Sequence, residues 1–418
     1  MPLTLSTSIA STTLRDGIPN LPLAWRALLT AVILLLGVLG VDAVLRAAFD
    51  LHQHSDYTVY TAAGRAVWEG TNIYDAHNAR GWNYVYLPLF SILMVPFAWL
   101  PVSLGAALWY LLGAAATASA VIMSVRLASL RFGANPRATL ALWLVPALLA
   151  APWLISGLQR GQASALMVWC VVAAIYFDRR QRQHFSAVAL AAATLIKVFP
   201  AAMLVYFFAR RRWRLLVTYA VVMLAGLIAL PATVFGWQRN LDYLDQWHAL
   251  VAAPVVVRSG STARDPMHEQ LLDVTRQRNQ SLQALLVSAG MRPDAARGAW
   301  AAIAVGMLVA MLWLLRRGSG AGAALAAAFI AWTLLIPPIS ESHYFGLLVL
   351  PLAVLTATSR LDPDDRSRRL AVVVLLMFAI VGPTISLYKP LQLYRPLCAM
   401  TIAMWASLCW LARRGAAR

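Results

Sequence analysis

Asp56, in the stretch Leu51-His-Gln-His-Ser-Asp-Tyr-Thr-Val-Tyr60, is a carboxylate standing just beyond the first long apolar run of the chain. A carboxylate held at the edge of an apolar body can take a proton from a hydroxyl, the task of a general base. Group transfer from a lipid phosphate needs such a base, together with donors that stabilise the departing phosphate, and neither requires a nucleotide-binding fold. Three further residues could supply the donors. His343, in Pro337-Pro-Ile-Ser-Glu-Ser-His-Tyr344, precedes an apolar run and could hydrogen-bond a phosphate oxygen, shuttle a proton or simply anchor the interface beside Tyr344. Gln162, in the turn Arg160-Gly-Gln162, offers amide donors to a ligand or plain turn polarity. Lys197, in Lys197-Val-Phe-Pro200, could neutralise a phosphate as a point charge or snorkel to the surface.

Asn279-Gln-Ser281 opens an apolar stretch and reads as a glycosylation sequon, an N-cap or a substrate contact. His52 and His54 beside Asp56 lack a further matched ligand pair, so no metal site is expected. Asp56 also precedes a helical pattern in which Asp56, Tyr60, Ala63 and Val67 share one face. It therefore reads as an N-cap as well as a base, and the two roles are compatible.

The body that must position these groups is membranous. Hydrophobic residues make up 61% of the 418, charged ones only 12%, which an ordinary soluble core cannot hide. The formal charge of +18 sits largely in short connections between apolar runs, so it reads as orientation in a bilayer rather than affinity for nucleic acid. Cys170, Cys398 and Cys409 all lie inside apolar segments and imply no disulfide framework. Residues 1–20 lack a cleavage motif, so the run from Pro22 to Phe49 reads as a retained first span.

Counting about 20 residues per crossing gives spans near 22–47, 103–125, 138–155, 163–177, 213–235, 297–315, 321–337, 344–358, 369–387 and 392–412. Residues 185–209 are flanked by arginine clusters on both sides, which one span cannot place on the same face. Pro200 interrupts them, so they read as two short helices with Lys197 at the turn. Residues 84–100, broken by Pro88 and Pro96, read as a juxtamembrane or re-entrant helix. Twelve spans result, in a single domain over 1–418 with outer loops at 48–102 and 236–296. Both termini and the arginine clusters then face the cytoplasm, while Asp56, Lys197 and six of the seven histidines face outward. No internal repeat suggests an alternating-access transporter.

The ordered segments Asp56-Tyr-Thr-Val-Tyr60, Trp68-Glu-Gly-Thr-Asn-Ile-Tyr74, Tyr84-Val-Tyr86-Leu-Pro-Leu-Phe90, Gly161-Gln162, Leu195-Ile-Lys-Val-Phe-Pro200, Asn279-Gln-Ser-Leu282 and Glu341-Ser-His343 resemble glycosyltransferase family 87. The resemblance spans about residues 50 to 355. It departs from the family pattern at Leu87-Pro88, where two prolines are usual, and at Ala163, where asparagine is usual.

The resemblance implies an all-α GT-C fold with juxtamembrane helices on the outer face. It implies a polyprenyl-phosphate sugar as donor, most simply mannose, and inverting transfer to a glycolipid or glycan acceptor at the periplasmic face of the inner membrane. Asp56 would be the base; His343, Lys197, Gln162, Asn279, Tyr60 and Tyr86 would bind donor phosphate or substrate. No cofactor is implied beyond the lipid-linked sugar, and no nucleic acid partner. An arabinofuranosyltransferase of the same fold and a polytopic lipid or solute transporter are the alternative readings.

Overall fold

The structure, a computed structural model, describes residues 23–49, 55–79, 81–130, 132–133, 140–253, 273–317 and 322–416. Among these residues regular structure is helical, with one isolated antiparallel bridge between His77 and Asn83. His52 and His54 lie outside the described residues.

Among the described residues eight helices are long and apolar enough to cross a membrane: Thr30–Ala48, Val102–Leu130, Ala141–Gln159, Trp213–Phe235, Pro293–Arg316, Ser342–Leu361, Asp365–Leu387 and Pro396–Arg414. The other four expected spans are shorter, namely Ser164–Arg179, Gln183–Ile196, Met203–Ala209 and Gly322–Leu335. Their shortness agrees with the runs at 163–177 and 185–209, and only Gly322–Leu335 falls short of its run at 321–337. The reason is packing for two of them: Ser164–Arg179 and Gly322–Leu335 are mostly buried by protein, so neither has to match the thickness of a lipid layer. With Ser342–Leu361 they form the centre of the bundle, around Phe329, Phe345, Met167 and Leu350.

The break before Pro200 has the expected form. The helix ends at Ile196, Lys197 is extended at φ −144° and ψ 128°, and a 3-10 turn at Phe199–Ala202 leads into Met203–Ala209. Because two helices intervene, the chain returns to the end it left. Arg212 Nε lies 2.7 Å from the buried Asp178 carboxylate, and its Nη1 donates to Gln181 at 3.4 Å, so the two arginine clusters touch. At this end Arg414 also pairs with Asp364 at 2.8 Å.

Pro88–Ala98 has 11 residues, too few for a crossing. It packs with Tyr57–Glu69 against the end of the bundle that carries Asp56. The large loop supplies the amphipathic helix Trp237–Trp247 and the short helix Leu282–Ser288. Exposed indoles mark this end, Trp68 and Trp99 edge to face at 5.0 Å, with Trp237 also exposed. Exposed Phe185, Phe208 and Trp213 mark the arginine end. Aromatic side chains with one apolar and one polar side collect at both faces of a bilayer, so the two bands fit a chain inserted across one.

Candidate active site

The site is assembled around a turn. Helix Ala141–Gln159 stops at Arg160, and Gly161 takes the left-handed φ of 62° that reverses the chain into helix Ser164–Arg179. A Cβ on Gly161 would lie 2.6 Å from Ser55 Oγ, so only glycine allows the two segments to approach so closely. The contact is bonded from both sides. Asp56 N donates to Arg160 O at 2.8 Å, Ser55 Oγ donates to the same carbonyl at 3.3 Å, and Trp109 Nε1 donates to Gly161 O at 2.9 Å. The turn is thereby fixed to the start of helix Tyr57–Glu69.

That fixation places Gln162 against Asp56, and Gln162 Nε2 donates to the Asp56 carboxylate. Asp56 occupies the N-cap position but makes no side-chain cap bond, so its carboxylate faces a cavity of about 410 Å³ instead. Burial pushes its pKa upward, and the Glu341 carboxylate pushes it further. Arg160, Lys197 and Arg276 pull the other way, and the balance stands at about 7. An acid poised there is half ionised at neutral pH, which suits proton acceptance. Tyr60 completes the surround, its hydroxyl 2.8 Å from that of Tyr86 and 3.4 Å from Gln162 Oε1.

Lys197 reaches the same cavity from the helix break. Its Nζ donates to Tyr344 Oη at 3.1 Å and lies 4.3 Å above the Tyr344 ring and 5.5 Å from the centre of the Tyr86 ring. Among the described residues no carboxylate pairs with Lys197 or with Arg160. His343 is buried, with Nδ1 3.5 Å from Glu341 Oε2 and neither ring nitrogen hydrogen-bonded. Glu341 accepts from Arg276 at 3.4 Å as well.

Six of the seven residues singled out from sequence line this one cavity: Asp56, Tyr60, Tyr86, Gln162, Lys197 and His343. Asn279 does not. It is buried, donates to Pro338 O at 2.9 Å and accepts from Ser281 N and Ser340 N at 3.0 Å, so its side chain ties the loop before His343 to the large outer loop. The N-cap of that segment is Ser281, whose Oγ accepts from Ala284 N. Sequence reasoning missed the other cations of the lining, Arg46, Arg160, Arg278 and Lys389. A signal was available: these are basic residues that the span assignment leaves at the end away from the arginine clusters, against the usual bias. They make this end of the cavity positive, Arg46 while paired with Asp42 at 2.8 Å.

Residues 84–351, well over half of the chain, match Glycosyltransferase family 87. Two curated relatives are polyprenol-phosphate-mannose-dependent alpha-(1-2)-phosphatidylinositol mannoside mannosyltransferases. The protein of Mycobacterium tuberculosis is 26% identical over 410 residues, covering 89% of this chain and 88% of the relative. That of Mycolicibacterium smegmatis is 24% identical, covering 84% and 79%. Among solved structures, ArnT from Cupriavidus metallidurans aligns with 94% of the chain in two crystal structures. The one bound to undecaprenyl phosphate has a TM-score of 0.41 at 16% identity over 78% of its chain, the apo one 0.42 at 17% over 77%. Likeness of that degree supports no argument about the reaction.

Proposed function

The chain belongs to glycosyltransferase family 87, and we propose that it transfers a hexose, mannose in the first instance, from a polyprenyl-phosphate sugar to a glycolipid or glycan acceptor, with inversion and with Asp56 as base. The observation that carries this reading is one cavity holding a carboxylate of pKa about 7 together with Lys197 and Arg160, cations that form no direct ion pair with a carboxylate among the described residues. A base and a pair of cations side by side are what displacement of a phosphate by a hydroxyl requires.

In that displacement the acceptor hydroxyl loses its proton to Asp56 as its oxygen bonds to the anomeric carbon. The bond from that carbon to the phosphate oxygen breaks on the opposite face, and the electron pair stays with the phosphate. Lys197 and Arg160 hold the growing negative charge, and His343 offers a hydrogen bond. Gln162 keeps the Asp56 carboxylate oriented. The relatives' use of polyprenol-phosphate-mannose favours that donor. The arginine clusters gathered at the end remote from the cavity favour a cytoplasmic location for that end, and so a periplasmic site with both termini inside.

Asp56→Asn tests the reaction directly. Asparagine is nearly isosteric but cannot take the proton, and loss of a general base costs about 10²- to 10⁴-fold. The purified variant, supplied with polyprenyl-phosphate mannose and an acceptor glycolipid, is expected to lose turnover to that extent. Turnover within about threefold of the parent defeats the assignment.

A further inference from the structure

Resting on the transfer reaction above, we infer that Trp82, Asn83 and Ser342 form a subsite that grips a hexopyranose within the same cavity. All three line it. Among the described residues the Trp82 indole N–H, the Asn83 side-chain amide and the Ser342 hydroxyl have no hydrogen-bond partner in the protein, although each is partly withdrawn from water. In the aromatic cluster that Trp82 packs against, Trp109 and Trp247 donate to the carbonyls of Gly161 and Val85, whereas Trp82 does not. Polar groups left open in a half-buried wall are the kind a ligand satisfies.

The chemistry of this set selects the ligand. A phosphate only accepts hydrogen bonds and is served by Lys197 and Arg160. An isoprenoid chain makes none. Neighbouring hydroxyls on a sugar ring both donate and accept, and the amide and hydroxyl of Asn83 and Ser342 can do the same. The indole adds one donor and an aromatic face for the C–H side of a pyranose.

The wall is also held ready. Trp82 N donates to Asn78 Oδ1 at 3.2 Å, Asn78 N donates to Trp82 O at 3.1 Å, and Tyr84 N donates to Ala76 O at 2.9 Å. The Arg276 guanidinium covers one face of the indole at 5.1 Å and is itself tethered to Glu341. Arg395, in turn, donates to the carbonyls of Thr275, Arg276 and Gln277 at 2.8 Å, fixing that segment. None of these bonds uses the Asn83 amide. A wall held by such bonds, with these side-chain groups unspent, lowers the cost of ordering on binding.

The sugar could be that of the donor or that of the acceptor, and equilibrium dialysis of the full-length protein in detergent separates them. Three labelled probes are used on an Asp56→Asn background, where turnover does not interfere: a short-chain polyprenyl-phosphate mannose, an octyl mannoside, and the same polyprenyl phosphate without sugar. Asn83→Ala and Trp82→Ala are each expected to weaken one or both sugar-bearing probes about five- to tenfold, the size of one lost hydrogen bond, and to leave the bare polyprenyl phosphate within twofold. The probe that weakens names the source of the sugar. Unchanged binding of both sugar probes overturns the subsite, and so does equal weakening of the bare phosphate. Should Trp82→Ala fail to fold, Trp82→Phe and Asn83→Ala decide, since Asn83 joins the hairpin through its backbone. The readout is binding, so a failure of Asp56 as base would show separately, as retained turnover.

Discussion

Asp56 titrates close to neutrality, so the reaction has a directional pH dependence. In the proposed role Asp56 works only when ionised, and kcat/KM is expected to fall about tenfold per unit as pH drops below about 7 and to level off above it. Stability runs the other way. The folded pKa lies above the unfolded value of 3.8, so the protonated carboxyl contributes stability that is fully present below 3.8 and is lost as pH rises through about 7. Asp56→Asn carries no such ionisation, and its melting temperature in detergent should exceed that of the parent at pH 8, with the gap closing at pH 5. A gap that widens toward pH 5 contradicts the raised pKa. Lys197→Ala removes a charge-assisted contact worth about 1.5–3 kcal/mol, so the KM for donor should rise about ten- to a hundredfold. Unchanged donor saturation excludes it from the phosphate site. At this scale the chemistry-bearing types were legible because each stands out in an apolar context. Arg160 was not, since a lone arginine in a turn carries no local sign of being unpaired.

The turn at Arg160-Gly-Gln162 is the element that sets the geometry. Gly161→Ala forces a side chain into left-handed backbone and against Ser55 Oγ, which costs about 1–2 kcal/mol for the backbone alone. The expected result is a turnover loss exceeding that of Gln162→Ala, with a lowered melting temperature. An alanine variant of parental activity would show that the turn does not position Asp56. The split at Lys197–Pro200 was readable, because charge on both flanks demands an even number of crossings and proline marks the break. The staple of Ser55 on Arg160 was not readable, since it joins residues 105 apart and no local pattern encodes such a contact. The same holds for Asn279, whose partners lie 59 and 61 residues away.

For the whole molecule, the helical membrane class came from composition, and the number of full-length spans did not. Apolar residues count alike whether they face lipid or protein, so hydropathy does not tell that Ser164–Arg179 and Gly322–Leu335 run through the bundle in a jacket of other helices and can be short. What the contact between Arg212 and Asp178 adds is that both arginine clusters share one end. With that end inside, Arg211→Cys should be labelled by an impermeant thiol reagent only from the cytoplasm, and Lys389→Cys only from the periplasm. Labelling of both from one side contradicts the orientation.

The helix leading to Lys197 has 14 residues. It climbs only about 21 Å from the arginine turn at 1.5 Å per residue, against a hydrocarbon core of about 30 Å. A lysine reached by so short a helix standing upright in such a layer would lie some 9 Å below its far face by that estimate, in a recess rather than at the rim. A prenyl chain lifted clear of its leaflet would expose carbons at about 0.8 kcal/mol per CH₂. For the proposed donor a sunken cation would make lifting unnecessary, because the phosphate would descend while the tail stays in oil. The same depth would filter acceptors of the proposed reaction by shape: a slender glycolipid head could be lowered into the recess, whereas a sugar borne on a folded protein surface would stop at the rim.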